Sequence, residues 1–434
     1  MHVARALTIL WGSAIAGSLW SCSPAARTLD EAEFQRLAAE HERLAMDERE
    51  SRAQRLLARM ERERSESLAA GGDGSVTIDA LMLSSGGQFG AFGVGVLEGW
   101  GEVASGELVR PRFDIVTGVS TGALIAPFAL SGTDYSMARI SDLYREADDR
   151  LAVIRGMLFF LPSRDSFLDN APLRERISAE MDLDTIADVA EAHAEHRLLL
   201  VGAVNLDLGR FRIWDMGELA NTATDSGDPK PFQQAMLSSA SIPAAFPPVK
   251  IGGMLYADGA AATATFLGLD RGAFVDVMAA YRTRHPGEPP PRCRMWVIVN
   301  GRLDQPSQLV ERAWVSIAAR SVSVLTMYSL RTTLRQMQLG AELLSAETGS
   351  VVEFRYIAIP SDVELPEPRS RLFDQELMAK VHAIGHALGA DPNSWKRDAI
   401  APDIPGSGML VPPLTFPDFA APDDKVHSEQ GGDR

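Results

Sequence analysis

Apolar residues fall along this chain in two alternating kinds of block. Residues 76–83, 113–117, 197–205 and 294–300 are short, nearly continuous apolar or β-prone runs. The first two predict short strands and the last two buried parallel strands, while residues 351–359 alternate enough to predict a strand near a sheet edge. Between them the period lengthens. Residues 96–100, 123–130, 314–344 and 373–388 read as helices, the third carrying Val315, Ala318, Ala319, Val322, Leu325 and Tyr328 as an apolar series expected to pack against the body. Strands alternating with helices predict an α/β domain.

The two ends differ from this middle. Residues 29–68 are dense in Glu and Arg with a thin apolar series at Phe34, Leu37, Leu44, Leu56 and Met60, which predicts a solvated helix serving as a spacer or stalk. Gly71-Gly72-Asp73-Gly74 ends it. Beyond Asn393 the chain is rich in Pro, Asp and Gly and predicts a largely disordered tail. At the start, Arg5 precedes an apolar stretch from Ala6 to Leu19, closed by Trp20-Ser21-Cys22. The stretch is too short for a comfortable membrane span, which takes roughly 20 residues. It resembles a bacterial lipoprotein signal peptide, which implies cleavage before Cys22, a lipid anchor on Cys22 and a place in the cell envelope, on the outer membrane facing the periplasm. The expected division is a signal peptide over 1–21, a charged helical linker over 22–75, one domain over 76–392 and a Pro-rich acidic tail over 393–434.

Composition narrows the function classes. The 434 residues are 46% hydrophobic and carry a formal net charge of −16, enough apolar content for a large core and the wrong sign for adhesion driven by phosphate charge, whether in nucleic acid or in an anionic lipid surface. No nucleic-acid partner is expected. With only Cys22 and Cys293 present, and Cys22 assigned to the anchor, no disulfide is expected either.

Two glycine-rich turns carry the chemistry. The first, Ser84-Ser85-Gly86-Gly87-Gln88-Phe89-Gly90, stands between a predicted strand and helix, where backbone amides converge and stabilise an anion, whether a phosphate or a reaction oxyanion. It matches neither a dinucleotide-binding fingerprint nor a Walker loop. The second, Gly118-Val119-Ser120-Thr121-Gly122, has the strand, turn and helix setting of a nucleophile elbow, with Gly118 and Gly122 flanking Ser120 where side chains would collide.

A serine needs a base. His285 lies in a Pro-rich stretch, His427 in the polar tail, and His382 with His386 on one face of a predicted helix, so no histidine has a supporting motif, although a histidine triad stays open. The His382/His386 pair lacks the Glu of a metalloprotease motif, and no metal is expected. Asp258 in Tyr256-Ala257-Asp258-Gly259-Ala260 follows a short predicted strand among small neighbours and is the other candidate.

With these motifs in place the chain resembles the patatin-like phospholipase family over residues 76–392. Ser84 to Gly95 matches its oxyanion loop, Gly118 to Gly122 its G-x-S-x-G, Asp258-Gly259-Ala260 its D-G-A/G, and Ser238-Ser239-Ala240-Ser241-Ile242-Pro243-Ala244-Ala245-Phe246-Pro247-Pro248 its A-S-x-A-x-P-x-x-F-P-P block. The resemblance implies a three-layer α/β/α sandwich with a mostly parallel central sheet. It implies a lipid acyl hydrolase of the phospholipase A, lysophospholipase or esterase type, with Ser120 as nucleophile, Asp258 as base and acid, and the amides of Gly86, Gly87 and Gln88 as oxyanion hole, without cofactor. An acyltransferase or thioesterase using the same dyad, and a non-catalytic lipid-binding lipoprotein, are the alternatives. Ser85 and Phe89 replace the family's usual glycine and basic residue in the first loop. The apolar run Met157-Leu158-Phe159-Phe160-Leu161 is expected either to close a helix or to form a lipid-facing lid.

Overall fold

The computed structural model describes residues 27, 29–151, 153–154, 165–366 and 373–398. In chain order, α1 (Glu31–Ala69), β1 (Thr77–Leu83), α2 (Gly90–Gly101), β2 (Ile115–Val119), α3 (Thr121–Ser131) and α4 (Asp134–Glu146) come first. There follow β3 (Val153–Ile154), β4 (Leu168–Asp169), α5 (Ala171–Glu180), α6 (Leu183–Ala194), β5 (Leu198–Asn205), β6 (Arg210–Asp215), α7 (Met216–Ser226) and α8 (Lys230–Ser239). The chain continues through β7 (Val249–Ile251), β8 (Met254–Asp258), α9 (Arg271–Arg284), β9 (Arg292–Arg302), α10 (Trp314–Thr348), β10 (Val351–Ile359) and α11 (Gln375–Gly389). Six of the helices start on a side chain: Asp30, Thr133, Asp182, Asp215, Asp270 and Asp374 each accept a hydrogen bond from an otherwise orphaned amide of the first turn.

The sheet runs β10-β9-β1-β2-β5 in parallel, and β6, β7 and β8 extend it in antiparallel pairings. Alternation along the central strands sends side chains into two separate cores. Leu81, Leu83, Val116, Trp296 and Ile298 face one core, shared with α2, α3, α4 and α11. Ile78, Ala80, Met82, Met295 and Val297 face the other, shared with α1, α9 and α10. The result is a three-layer α/β/α sandwich with a mostly parallel central sheet. The continuous apolar strands of the sequence follow from it, because both faces are covered.

One pairing positions the site. On β5, residues 200–205 pair with β6, while β2 pairs only up to Gly202 and β8 begins at Ala203. Since β6 occupies one side of β5, β2 and β8 must share the other, end to end. Val119 stands opposite Gly202 and Asp258 opposite Ala203, so the residue after β2 and the last residue of β8 meet at one point.

Two helices depart from expectation. The helix expected to be solvated is α1, and Arg52, Leu56, Arg59 and Met60 on one of its faces are buried. Leu56 and Met60 enter a core, and Arg59 Nε donates to the buried Asp114 carboxylate at 2.6 Å. An ion pair at that depth stands because Asp114 also accepts from the Asp79 amide, leaving neither charge bare. The other is α10, in which Trp314, Ile317, Val322, Leu325 and Tyr328 do not pack but are exposed. Cys22, the 157–161 run and the tail beyond residue 398 lie outside the described residues.

Candidate active site

The elbow is built by exclusion. Ser120 holds φ 55° and ψ −123°, a left-side conformation costly for any residue with a Cβ. It persists because the surroundings admit nothing else. A Cβ on Gly118 would stand 2.4 Å from the carbonyl oxygen of Gly122, and one on Gly122 would stand 2.3 Å from that of Leu83. The two glycines let β2, α3 and the end of β1 close on the serine.

Side-chain hydrogen bonds then hold the turn. The Ser120 amide donates to Ser239 Oγ at 2.9 Å, and Ser239 Oγ donates to the Gly202 carbonyl at 2.6 Å, tying nucleophile, α8 and β5 together. The Asp258 amide donates to the Ser241 carbonyl at 2.9 Å. The Ser238 to Pro248 block, matched in the sequence only as a pattern, is thus the bracket between the two site residues. Ser238 and Ser241, standing where alanines are usual, donate to the carbonyls of Ala235 and Leu237 and leave no hydroxyl unsatisfied.

Asp258 is buried, its carboxylate accepts from the Ala260 amide at 2.8 Å, and the Ser120 hydroxyl is near enough to favour its ionised form. Burial pushes its carboxyl up to about 6, against the pull of those two groups. Gly259 leaves room for this approach, since a Cβ there would meet the Gly202 carbonyl at 2.6 Å and Val119 at 3.0 Å.

The first glycine-rich turn lies across from the elbow. Ser84 Oγ accepts from the Asn300 amide at 2.8 Å and donates to the Ser85 carbonyl, and Asn300 Nδ2 donates to the Ser84 carbonyl at 2.6 Å. A Cβ on Gly86 would stand 1.9 Å from the Asn300 carbonyl oxygen, so the loop can lie on β9 only with glycine there. Gly87, at φ 56°, has open space where its side chain would be and lines the same cavity as Ser120. Gln88 Oε1 accepts from the Asp374 amide at 2.8 Å, fastening the loop to the start of α11. Phe89 packs on the neighbouring core and Ser85 donates its amide to the Ala264 carbonyl, so the two unusual residues of this loop are absorbed by packing and backbone bonding.

Beside Ser120 opens a cavity with Leu124, Leu143, Leu173, Ile177, Ile242 and Phe246 in its wall and Arg176 and Glu180 as its charged members. Tyr144 in the same wall hydrogen-bonds Thr121, and burial pushes its phenol up, so it stays neutral. The chamber suits an aliphatic chain attached to a group held at Ser120.

The histidine candidates sit elsewhere. Gly95 and Gly99 of α2 lie against the carbonyls of His382 and His386, and Gly385 and Gly389 of α11 lie against those of Phe92 and Val96. Small residues at that spacing bring two helix backbones into contact. His382 Nε2 then stands 2.8 Å from Glu98 Oε2 and His386 Nε2 3.1 Å from Glu102 Oε1, pairs across the helix seam. His285 Nε2 stands 2.7 Å from Glu61. Among the described residues no group of three or more His, Cys, Asp or Glu is arranged to hold a metal ion. Asn300 and Ser239 were not singled out in the sequence; the only signal for them is position, at a strand end and inside the Ser238 to Pro248 block.

No curated protein matches the chain in sequence. Among solved structures, the crystal structure of VipD from Legionella pneumophila is similar, with a TM-score of 0.36 and 12% identity, over 74% of this chain and 67% of that one. Residues 81–268 match the family described as Patatin-like phospholipase, a span that holds both glycine-rich turns, Ser120 and Asp258. The chain therefore carries a patatin-like phospholipase domain, of a family whose members are lipid hydrolases.

Proposed function

We propose that the protein cleaves acyl esters of phospholipids or lysophospholipids with Ser120 as nucleophile and Asp258 as its general base. The observation that carries this reading is the Ser120 hydroxyl, held at a strained φ beside a fully buried carboxylate at the wall of an apolar cavity. Asp258 takes the Ser120 proton as Oγ attacks the ester carbonyl, and the carbonyl π pair moves onto oxygen, which the amides of Gly86, Gly87 and Gln88 stabilise. Collapse of that intermediate breaks the bond to the alcohol, which leaves with the proton returned from Asp258. Water, deprotonated by the same carboxylate, then releases the fatty acid from the acyl-Ser120 ester. A base titrating near 6 is ionised at neutral pH and still basic enough to share the proton in the transition state.

Fluorophosphonate labelling followed by peptide mapping tests the assignment directly. The label is expected on Ser120 and is lost in Ser120→Ala. Asp258→Asn is expected to remove nearly all ester hydrolysis, and the double variant to be scarcely worse than either single one, because the two groups act as a unit. A label on another residue, or full activity in Asp258→Asn, overturns the reading. The proposal places the enzyme in the bacterial envelope through a lipid on Cys22, on the strength of the sequence pattern.

A further inference from the structure

We propose that the first turns of α10 form a docking arm that seats the rim of the active site on an anionic lipid bilayer. The inference rests on the lipid-hydrolase reading for its biological sense, and on the geometry of α10 for its physical basis. The geometry begins with length. β9 runs parallel to β1, with Leu83 opposite Ile298, so it ends at the rim that carries Gly86 and Ser120. β10 also runs parallel to β9 and starts opposite Arg292, so α10 must travel back from this rim to the far edge of the sheet. A helix of 35 residues is about 52 Å long, whereas a strand of 9 residues such as β10 spans about 30 Å. The helix is therefore about 20 Å too long for the sheet it crosses, and the excess belongs at the rim.

Burial marks the same division. Leu330, Leu334, Ala341 and Leu344 are buried in the core on that face of the sheet, and over residues 314–326 none of the side chains described is buried. The overhanging part is nevertheless apolar. Trp314 is 73% exposed, Val322 62% and Leu325 69%, with Ile317 beside them and Leu309, in the preceding loop, 99% exposed. A projecting helix is expected to be polar, and one that shows Trp, Ile, Val and Leu to solvent at a rim beside an apolar cavity has the character of an interfacial helix.

Charge chooses the occupant. The chain carries a net −16, yet the overhang from Trp314 to Thr326 carries a single charge, Arg320, the next two charges along α10 being Arg331, which is buried, and Arg335. Arg320, on the overhang, makes its hydrogen bonds to the neutral oxygens of Gln305, Pro306 and Gln308. An aromatic-tipped arm whose one charge is a cation suits an anionic bilayer, whereas a second copy would bring its own acidic surface. No described helix is long and apolar enough to cross a membrane, and contact at the surface is what this one fits.

The test uses the full chain in a Cys22→Ser background, so that an anchor does not mask the arm, and vesicles of equal parts phosphatidylcholine and phosphatidylglycerol. With Ser120→Ala to prevent hydrolysis, flotation is expected to show binding that Trp314→Ser with Leu325→Ser weakens about tenfold or more, since two large apolar side chains no longer leave water. With Ser120 intact, the same pair is expected to cut hydrolysis on vesicles by a similar factor and to spare a short soluble ester. Unchanged flotation overturns the proposal, as does a vesicle-free dimer that the pair converts to monomer, which would make a second copy the occupant. Equal loss on both esters overturns it too. If flotation responds as expected but Ser120→Ala retains hydrolysis, the arm stands and the dyad falls.

Discussion

Replacing Asp258 by Asn is expected to abolish activity and, at neutral pH, to stabilise the protein. The carboxyl is moved from an ordinary 3.8 to about 6 by burial, a shift of about two units, and each unit corresponds to about 1.36 kcal/mol. Because the folded protein holds the proton more tightly than the unfolded chain, the associated stability is fully present below pH 3.8 and is lost as pH rises through 6. Above that, an ionised Asp258 costs about 3 kcal/mol. The substituted amide would keep an oxygen for the Ala260 amide and carry no charge at any pH. Chemical unfolding of both proteins from pH 4 to pH 8 is therefore expected to show no advantage for the variant at pH 4 and one approaching about 3 kcal/mol at pH 8. In a thermal melt that is about 4 °C for a chain of this size. The acid limb of the wild-type kcat/KM profile should rise through the same region, near pH 6. A stability difference independent of pH, or a variant less stable throughout, would refute the reasoning, since the buried charge would then not be the term removed.

Other expectations follow from the same geometry. His382→Ala and His386→Ala should keep most ester hydrolysis, because both rings pair with glutamates across the α2 and α11 seam; abolished turnover in either would point to a histidine triad instead. Ser239→Ala leaves the buried Ser120 amide and Gly202 carbonyl without their partner, so the melt should drop by the equivalent of about 1–3 kcal/mol and kcat should fall while Ser239→Thr partly restores it. Equal activity in Ser239→Ala would show that the elbow holds without its bracket. Metabolic palmitate should label the wild-type protein in a bacterial host and not Cys22→Ala; a label that survives the substitution removes the anchor.

Legible from the residues alone were the features in which neighbours along the chain constrain one another. Gly118 and Gly122 announce the elbow because only their absent side chains let β2, α3 and β1 converge within five residues, and the continuous apolar strands announce a sheet covered on both faces. Asp258 was legible for the same local reason, a carboxylate at a strand end between small residues. That it meets Ser120 was decided by the register of β5, where β2 stops at Gly202 and β8 starts at Ala203, a relation between distant segments that leaves no trace in either. The bracket made by Ser239 and the loop support from Asn300 are likewise side-chain hydrogen bonds to remote backbone. The helices mark the limit most sharply. The polar composition of α1 predicted a solvated spacer, and folding buried one of its faces, where Leu56 and Met60 enter a core and Arg59 pairs with Asp114 just before β2. The apolar period of α10 predicted packing, and folding left its first turns bare. Periodicity reports that a helix has an apolar face; whether anything lies opposite depends on how far the helix outruns the strands beneath it.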